Sequence, residues 1–193
     1  SMLQSLEQKL AILGPPHLTV ECPRSHLEAN RLFQKLEYSE QTELIDFELR
    51  NVISQQVSQN TFERLLLSQL FDLAPIDPLL PRAWSRQVES LTNVENELTV
   101  VGVISSERLE SFVVIRPLEG GEGTTVLALG AMSETQESQL SLQALLAYVS
   151  QEFSRPLRIP RLAETECSYR VLDTLGFERG ESFRLLERRI NKL

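Results

Sequence analysis

Cysteine and histidine are scarce in this sequence, with two of each. Cys22 and Cys167 are too few for a disulfide framework, and no CxxC or HxxxH spacing offers a set of zinc ligands. His17 and His26 flank a predicted strand, where solvent contact or local helix capping is commoner than catalysis. We therefore predict no metal site and two reduced, buried thiols, as in a cytoplasmic protein.

Long apolar runs and an excess of basic residues are also lacking. No run approaches the ~20 apolar residues that a membrane-spanning helix needs. The first ten residues have neither the basic region nor the apolar region of a signal peptide. The formal net charge of −8 repels a phosphate backbone. The sequence therefore predicts a cytoplasmic protein that binds neither a membrane nor nucleic acid.

Several motifs of known chemistry are missing as well. No Gly-x-Ser-x-Gly or Ser-x-x-Lys pattern indicates a nucleophilic serine. The run Gly120-Gly121-Glu122-Gly123 is glycine-rich, but no lysine–serine pair follows it, so it predicts a turn and not a phosphate-binding loop.

What the chain does contain is an internal similarity between residues 3–50 and residues 142–189. A shift of 139 residues superimposes their apolar positions without a gap. The matching pairs include Leu3 with Leu142, Leu6 with Leu145, Leu18 with Leu157, Val20 with Ile159, Leu36 with Leu175, and Tyr38 with Phe177. Such a match predicts that one helix–strand–helix–strand unit occurs twice.

The later unit predicts a long helix that ends before Pro156, a strand over residues 157–160, a helix over 164–175 and a strand over 183–190. Gly176 stands where a left-handed residue would end the second helix. The earlier unit predicts helices over residues 3–13 and 27–36 and strands over 18–22 and 44–49.

The segment between the units has its own pattern. It predicts a helix over residues 54–73, a proline-rich linker over 74–81 and a helix over 82–91. Strands follow over residues 97–105, 108–117 and 124–130, with turns at 105–107 and 119–123. Three consecutive strands followed by helix–strand–helix–strand predict a mixed sheet covered by helices.

One segment resembles a known family. Residues 165–177 end in Arg170-Val-Leu-Asp-Thr-Leu-Gly-Phe, which is similar to the signature N-x-x-A-x-x-L-Y-x-x-L-G-F of the GNAT superfamily of N-acyltransferases. Residues 30–38 match the same signature. Residues 81–91, which include Trp84 and Arg86, resemble the entry to the second domain of tandem GNAT proteins.

The resemblance implies a mixed α/β fold of the GNAT type, with a mostly antiparallel central sheet flanked by helices. It divides the chain into a partial GNAT copy at residues 1–50, a helix and linker at 51–81, and a GNAT-like domain at 82–193. It also implies transfer of an acetyl group from acetyl-CoA to an amine.

The resemblance places the cofactor at the loop that begins with Gly130. There the family holds a diphosphate on a helix N-terminus, in a motif R/Q-x-x-G-x-G/A. The candidate cofactor-binding residues are Leu127, Leu129, Gly130, Ser138 and Gln139. The loop has no arginine, has no glycine after Gly130, and carries Glu134 and Glu137. These differences predict an eroded acetyl-CoA site.

The family's usual acid is a tyrosine on the second helix of the unit. The matching positions here are Leu172 and Phe33, neither of which can donate a proton. Tyr169 lies three residues earlier, about one helical turn back, and is the candidate catalytic acid. The alternative is that Tyr169 only packs.

Three hypotheses of function follow. The chain is a degenerate GNAT-fold module that works by binding a protein partner or a ligand. Alternatively, it is an active acetyl-CoA-dependent N-acetyltransferase for an unidentified amine, which is what the fold alone favours. In the third hypothesis the partial unit drives homodimerisation, because a lone unit exposes a strand edge.

Overall fold

The structure is a computed structural model that describes residue 9 and residues 17–54, 61–74, 81–105 and 108–190. The predicted first helix, most of the linker and the turn at 105–107 fall largely outside these residues. The strands are β1 (His17–Pro23), β2 (Ser39–Leu49), β3 (Phe62–Leu65), β4 (Thr99–Ser105), β5 (Arg108–Pro117), β6 (Thr124–Ala131), β7 (Leu157–Ala163) and β8 (Glu178–Arg189). The helices are α1 (Leu27–Lys35), α2 (Leu67–Leu73), α3 (Val88–Asn93), α4 (Gln136–Glu152) and α5 (Tyr169–Thr174).

All eight strands form one sheet in the order β1-β8-β2-β7-β6-β5-β4-β3. Every neighbouring pair is antiparallel except β6 and β7, which run parallel. The prediction of a mixed, mostly antiparallel sheet flanked by helices is therefore confirmed. None of the described helices is long and apolar enough to cross a membrane.

Helices cover both faces of the sheet. Leu145, Leu146 and Val149 of α4 are fully buried in the largest core, with α5 and the inward side chains of β4 to β7. On the opposite face, α2 and α3 pack on Val100 and Val114. Removing this apolar surface from water is the main stabilising term of the fold.

Two predicted helices are corrected by the structure. The helix predicted over residues 54–73 is wrong at Phe62–Leu65, which forms β3 on the edge of β4, and α2 begins only at Leu67. The Phe62 ring stacks on Tyr148 of α4, with centroids 4.4 Å apart, so tertiary packing overrides the helical spacing. The helix predicted over 82–91 is instead a 3₁₀ turn at Trp84–Arg86 followed by α3.

The two similar segments share local structure over their described parts. After the 139-residue shift, β1 coincides with β7, α1 with α5 and β2 with β8, to within three residues at each boundary. Both short helices end in a left-handed residue at the same place, Glu37 with φ +60° and Gly176 with φ +84°. The predicted left-handed end at Gly176 is thus confirmed, and Glu37 takes the same conformation without being glycine.

The four strands β1-β8-β2-β7 also have a local twofold arrangement. In β1 and β8, Leu18 lies opposite Arg188, and the shift turns this pair into Leu157 opposite Leu49 of β7 and β2. Between β2 and β8, the same operation exchanges the pair Ser39–Glu187 with the pair Glu48–Glu178. The pseudo-twofold axis therefore passes between β2 and β8, and β1 is the counterpart of β7.

Candidate cofactor site between strands β6 and β7

The parallel strands β6 and β7 diverge. They pair only at Thr124 with Leu157 and at Thr125 with Arg158, and in the described part of the chain their pairing stops there. A wedge-shaped gap consequently opens toward the carboxyl ends of both strands, where α4 and α5 follow. In open α/β sheets, ligands bind outside the carboxyl ends of neighbouring parallel strands.

A cavity of about 450 Å³ lies at the wide end of this gap. Its walls are the loop after β6, the first turns of α4 and the segment between β7 and α5, with the lining residues Ala131, Met132, Ser133, Glu134, Gln139, Leu142, Glu164, Thr165, Glu166, Cys167, Ser168 and Val171. Three of them are glutamates and none is lysine or arginine. Because Glu166 is ion-paired with the buried Arg86, the negative charge of the wall comes from Glu134 and Glu164.

An ion pair fills the narrow part of the gap. Arg86 is fully buried, and its Nε donates to both carboxylate oxygens of Glu166 at 3.1 and 3.0 Å. Its Nη1 donates to the carbonyl of Val126 on β6 at 3.2 Å. Glu166 also accepts from the backbone N–H of Ala163 at 3.2 Å. The pair thereby links the two diverging strands and occupies the carbonyl of Val126.

The N-terminus of α4 is also engaged by the chain itself. Thr135 caps the helix by accepting from the Ser138 N–H at 3.4 Å, and the Ser138 hydroxyl donates to the Glu110 carboxylate at 3.0 Å. Glu110 is the extra residue of a β-bulge in β5, because Ser111 lies opposite Val103 and Leu109 opposite Ile104. A side-chain carboxylate thus lies at the helix end where the family resemblance expects a diphosphate.

The candidate cofactor-binding residues take different positions. Gln139 lines the cavity. Leu127 and Leu129 are buried in separate cores on the two faces of the sheet. Gly130 lies under Phe112, whose Cε1 would be 2.9 Å from an added Cβ, so close packing already requires glycine there. The structure brings only Gln139 into contact with the cavity, and a cofactor role for these residues stays a prediction.

Tyr169, the candidate acid, is buried and does not line the cavity. Its hydroxyl donates to the carbonyl of Leu162 at 3.0 Å and to that of Glu43 at 3.4 Å. Burial raises the pKa of Tyr169 to about 12, and the carboxylates of Glu164 and Glu43 add to the rise. A phenol with this pKa stays protonated at neutral pH. Catalysis by Tyr169 stays a prediction, and its geometry favours the packing alternative.

Tyr169 and its pseudo-symmetric counterpart make the same kind of contact. The 139-residue shift turns Asn30 into Tyr169 and Pro23 into Leu162. The Asn30 side chain donates to the carbonyl of Pro23 at 2.9 Å, as the Tyr169 hydroxyl donates to that of Leu162. Both side chains therefore tie a short helix to the strand before it.

The other side chains that could react are Cys167, His17 and His26, and each is buried or hydrogen-bonded. Cys167 lines the cavity, but burial raises the pKa of its thiol to about 12 and outweighs the nearby Arg86 guanidinium. His17 contacts Glu187 at 2.9 Å, and His26 caps α1 by accepting from the Ala29 N–H at 3.2 Å. Within the described ranges, no cluster of histidine, cysteine or acidic residues is placed to hold a metal ion.

Glu110, Arg86 and Glu166 are the site residues that sequence reasoning missed. The residues next to Glu110 in the sequence do not indicate the bulge that directs it toward α4, because the bulge depends on the register of two strands. Arg86 was noted only as part of the resemblance at residues 81–91. Its burial is invisible in a sequence, because its partner Glu166 lies 80 positions away.

No family model matches this chain, and no curated protein matches it. Several solved structures are similar to this chain. A conserved protein of unknown function from Staphylococcus epidermidis has a TM-score of 0.64 at 12% identity, over 98% of this chain and 77% of that one. A GCN5-related N-acetyltransferase from Sphaerobacter thermophilus has a TM-score of 0.61 at 10% identity, over 97% of this chain and 65% of that one.

A GCN5-related N-acetyltransferase from Anabaena variabilis has a TM-score of 0.60 at 11% identity, over 98% of this chain and 50% of that one. This chain thus spans about half to two thirds of the length of the two acetyltransferases. At these identities the likeness concerns the arrangement of the backbone. Together with the sheet order and the diverging parallel strands, it shows that this chain has the GNAT fold.

Proposed function

We propose that this protein is a GNAT-fold module that works by binding a protein partner and does not transfer acetyl groups. The observation that carries the proposal is the charge of the cavity between β6 and β7, where Glu134 and Glu164 have no cation among the lining residues and Glu166 is neutralised by the buried Arg86. The whole chain is acidic as well, with a formal net charge of −8.

Electrostatics opposes acetyl-CoA in such a cavity. The cofactor carries several phosphate charges, and each carboxylate near a phosphate costs affinity on the order of 1 kcal/mol in a partly solvated site. The N-terminus of α4 offers a phosphate little compensation, because the Glu110 carboxylate already lies there and accepts from the Ser138 hydroxyl. The ion pair of Arg86 with Glu166 also occupies the Val126 carbonyl in the gap. All three features disfavour the same ligand.

Calorimetric titration with acetyl-CoA tests the proposal. We expect no binding heat up to millimolar cofactor at low salt. A variant with Glu134→Gln and Glu164→Gln should bind more tightly than the native chain, because two repelling charges are gone. The same double change at the distant Glu63 and Glu95 is the control and should have no effect. Micromolar binding by the native chain would refute the proposal.

An active N-acetyltransferase is the second candidate. A specific observation favours it: the cavity lies at the carboxyl ends of β6 and β7, between α4 and α5, and Gln139 lines it. In that case acetyl-CoA binds in this cavity, and an amine approaches through the gap. Turnover of acetyl-CoA with a panel of amines measures this directly, and the same titration separates the two candidates.

We propose a protein as the partner and the cytoplasm as the compartment. Support for a protein partner comes from the half-unit at residues 17–49, which packs into the sheet of the rest of the chain and leaves β1 at the sheet edge. Homodimerisation through the same unit is the alternative. Light scattering at several concentrations tests it, and a strict monomer would exclude it.

A further inference from the structure

In the four strands β1-β8-β2-β7, the pseudo-twofold axis makes the outer edge of β1 equivalent to the outer edge of β7. The two edges differ in whether another strand pairs with them. At one end, the outer edge of β7 receives β6 in parallel orientation. At the other end, β1 pairs with β8 alone among the residues that the structure describes. An unpaired edge presents a row of backbone donors and acceptors that is a template for another strand.

We propose that the outer edge of β1 binds a strand of a second GNAT-type sheet in a protein partner, in parallel orientation. This inference rests on the proposed function, since it names the partner and its docking surface. The occupant follows from the symmetry: the edge equivalent to that of β7 takes the equivalent of β6, which is the last strand of an antiparallel sheet and leads into a helix. Main-chain hydrogen bonds supply much of the affinity in this mode of recognition.

The symmetry also gives the register. Thr124 and Thr125 of β6 pair with Leu157 and Arg158, whose counterparts on β1 are Leu18 and Thr19. The partner strand therefore pairs at Leu18 and Thr19 and diverges beyond Thr19. A second gap then opens above the start of α1, shared between this chain and the partner.

An exposed tryptophan contacts β1. Trp84 is 68% exposed, and its backbone N–H donates to the Glu21 carboxylate of β1 at 2.7 Å. Glu21 is held in turn by Arg161, at 3.5 Å between Oε2 and Nε. The backbone at Trp84 is thus held against Glu21 of β1, while its indole is exposed. Tryptophan is the residue type most enriched at the centres of protein interfaces, which identifies Trp84 as the side-chain anchor of the docking surface.

Site-specific photo-crosslinking in the cells that produce the protein tests orientation and occupant together. Benzoylphenylalanine replaces His17 in one variant of the full chain and Thr19 in another, since both side chains point to the same side of β1. We expect both variants to cross-link the same partner strand, with the contact advancing two residues toward the partner's carboxyl end from His17 to Thr19. The cross-linked strand must belong to a GNAT-type sheet and precede a helix.

Three results would overturn the inference: contacts that move in the opposite direction, cross-links to β1 of a second copy of this chain, or no cross-link at either site. The same group placed at Glu63, on the β3 edge at the other end of the sheet, is the positional control and should not capture this partner.

A side-chain variant provides an independent measurement. Trp84→Ala should lower the cross-link yield from position 19 by about tenfold or more, as expected for loss of an interface anchor. Leu66→Ala is the matched control, because Leu66 is 63% exposed but lies beside β3. Equal yields from the two variants would remove Trp84 from the docking surface. Calorimetry with acetyl-CoA tests the proposed function, and cross-linking tests the docking surface. If the chain binds acetyl-CoA, the proposed function fails but the cross-linking result is unaffected, so the two failures can be distinguished.

Discussion

At the scale of single residues, Tyr169 and Asn30 perform one structural task at pseudo-symmetric positions. Each donates to a carbonyl of the strand before its helix, Leu162 in one case and Pro23 in the other. Tyr169→Phe should lower the free energy of unfolding by about 1 kcal/mol, the net value of one such hydrogen bond. Asn30→Ala should lower it by about 2 kcal/mol, because the Asn30 amide also donates to the His26 carbonyl at 2.9 Å. Urea denaturation measures both. Unchanged stability in Tyr169→Phe would argue that the hydroxyl serves another purpose.

Alkaline pH should destabilise the protein through two buried acids. The pKa values of Cys167 and Tyr169 are both raised to about 12, from ordinary values of 9.0 and 10.0. Because the folded state keeps protons that the unfolded state releases, this stability is complete below pH 9 and is lost as the pH rises from 9 to 12. Each group contributes a slope of at most about 1.4 kcal/mol per pH unit.

Cys167→Ala isolates one of these groups. It should flatten the dependence of unfolding free energy on pH most strongly near pH 9, where Tyr169 of the unfolded chain is still mostly protonated. Tyr169→Phe is the complementary control and should flatten it mainly above pH 10. Identical slopes for the native chain and Cys167→Ala would contradict the assigned cause.

At the scale of elements, the two short helices end in the same way with different residues. Gly176 has φ +84° with open space around the position of a Cβ, and Glu37 has φ +60°. A left-handed conformation costs a non-glycine residue roughly 1 kcal/mol. Gly176→Ala should therefore destabilise the protein by about 1 kcal/mol, and Glu37→Gly should stabilise it by up to about 1 kcal/mol. Thermal unfolding of the pair checks both signs, and a stabilised Gly176→Ala would contradict the explanation.

The ion pair that joins β6 to the segment after β7 should be strongly coupled. Arg86→Met leaves the Glu166 carboxylate buried without its cation, and breaking such a pair costs roughly 3–5 kcal/mol. Adding Glu166→Gln removes the orphaned charge but keeps an acceptor for the Ala163 N–H, so the double variant should recover a large part of the loss. A double-mutant cycle in urea measures the coupling, and additive losses would show that the pair is not the cause.

At the scale of the whole molecule, residues 17–49 contribute two strands to the sheet. Strand β2 lies between β7 and β8 and pairs with both, and its Phe47 and Leu49 are buried in the main core. A chain of residues 51–193 should therefore lose cooperative unfolding and aggregate, because both edges of β8 and one edge of β7 become exposed. Near-ultraviolet circular dichroism and light scattering measure this, and co-expression of residues 1–50 should restore the fold. A stable, cooperatively unfolding fragment would show that the segments are separable domains.

Much of this architecture could be predicted from local patterns. The strands at residues 108–117 and 124–131, the alternation of helices and strands after them, and the left-handed Gly176 follow from periodicity and backbone preference. The absence of glycine and arginine from the loop after Gly130 likewise predicts an unusual cofactor loop. These features depend on residues close together in the chain, so a sequence specifies them directly.

The insertion of β2 between β7 and β8, the bulge at Glu110 and the burial of Arg86 in the gap were decided by the tertiary structure alone. Each depends on which backbone groups pair across many intervening residues, and backbone hydrogen bonds are the same for every residue type. The sequence by itself therefore determined the repeated units and the acidic loop. Only the packed sheet decided that the units interlock about a pseudo-twofold axis and that β1 remains at its edge.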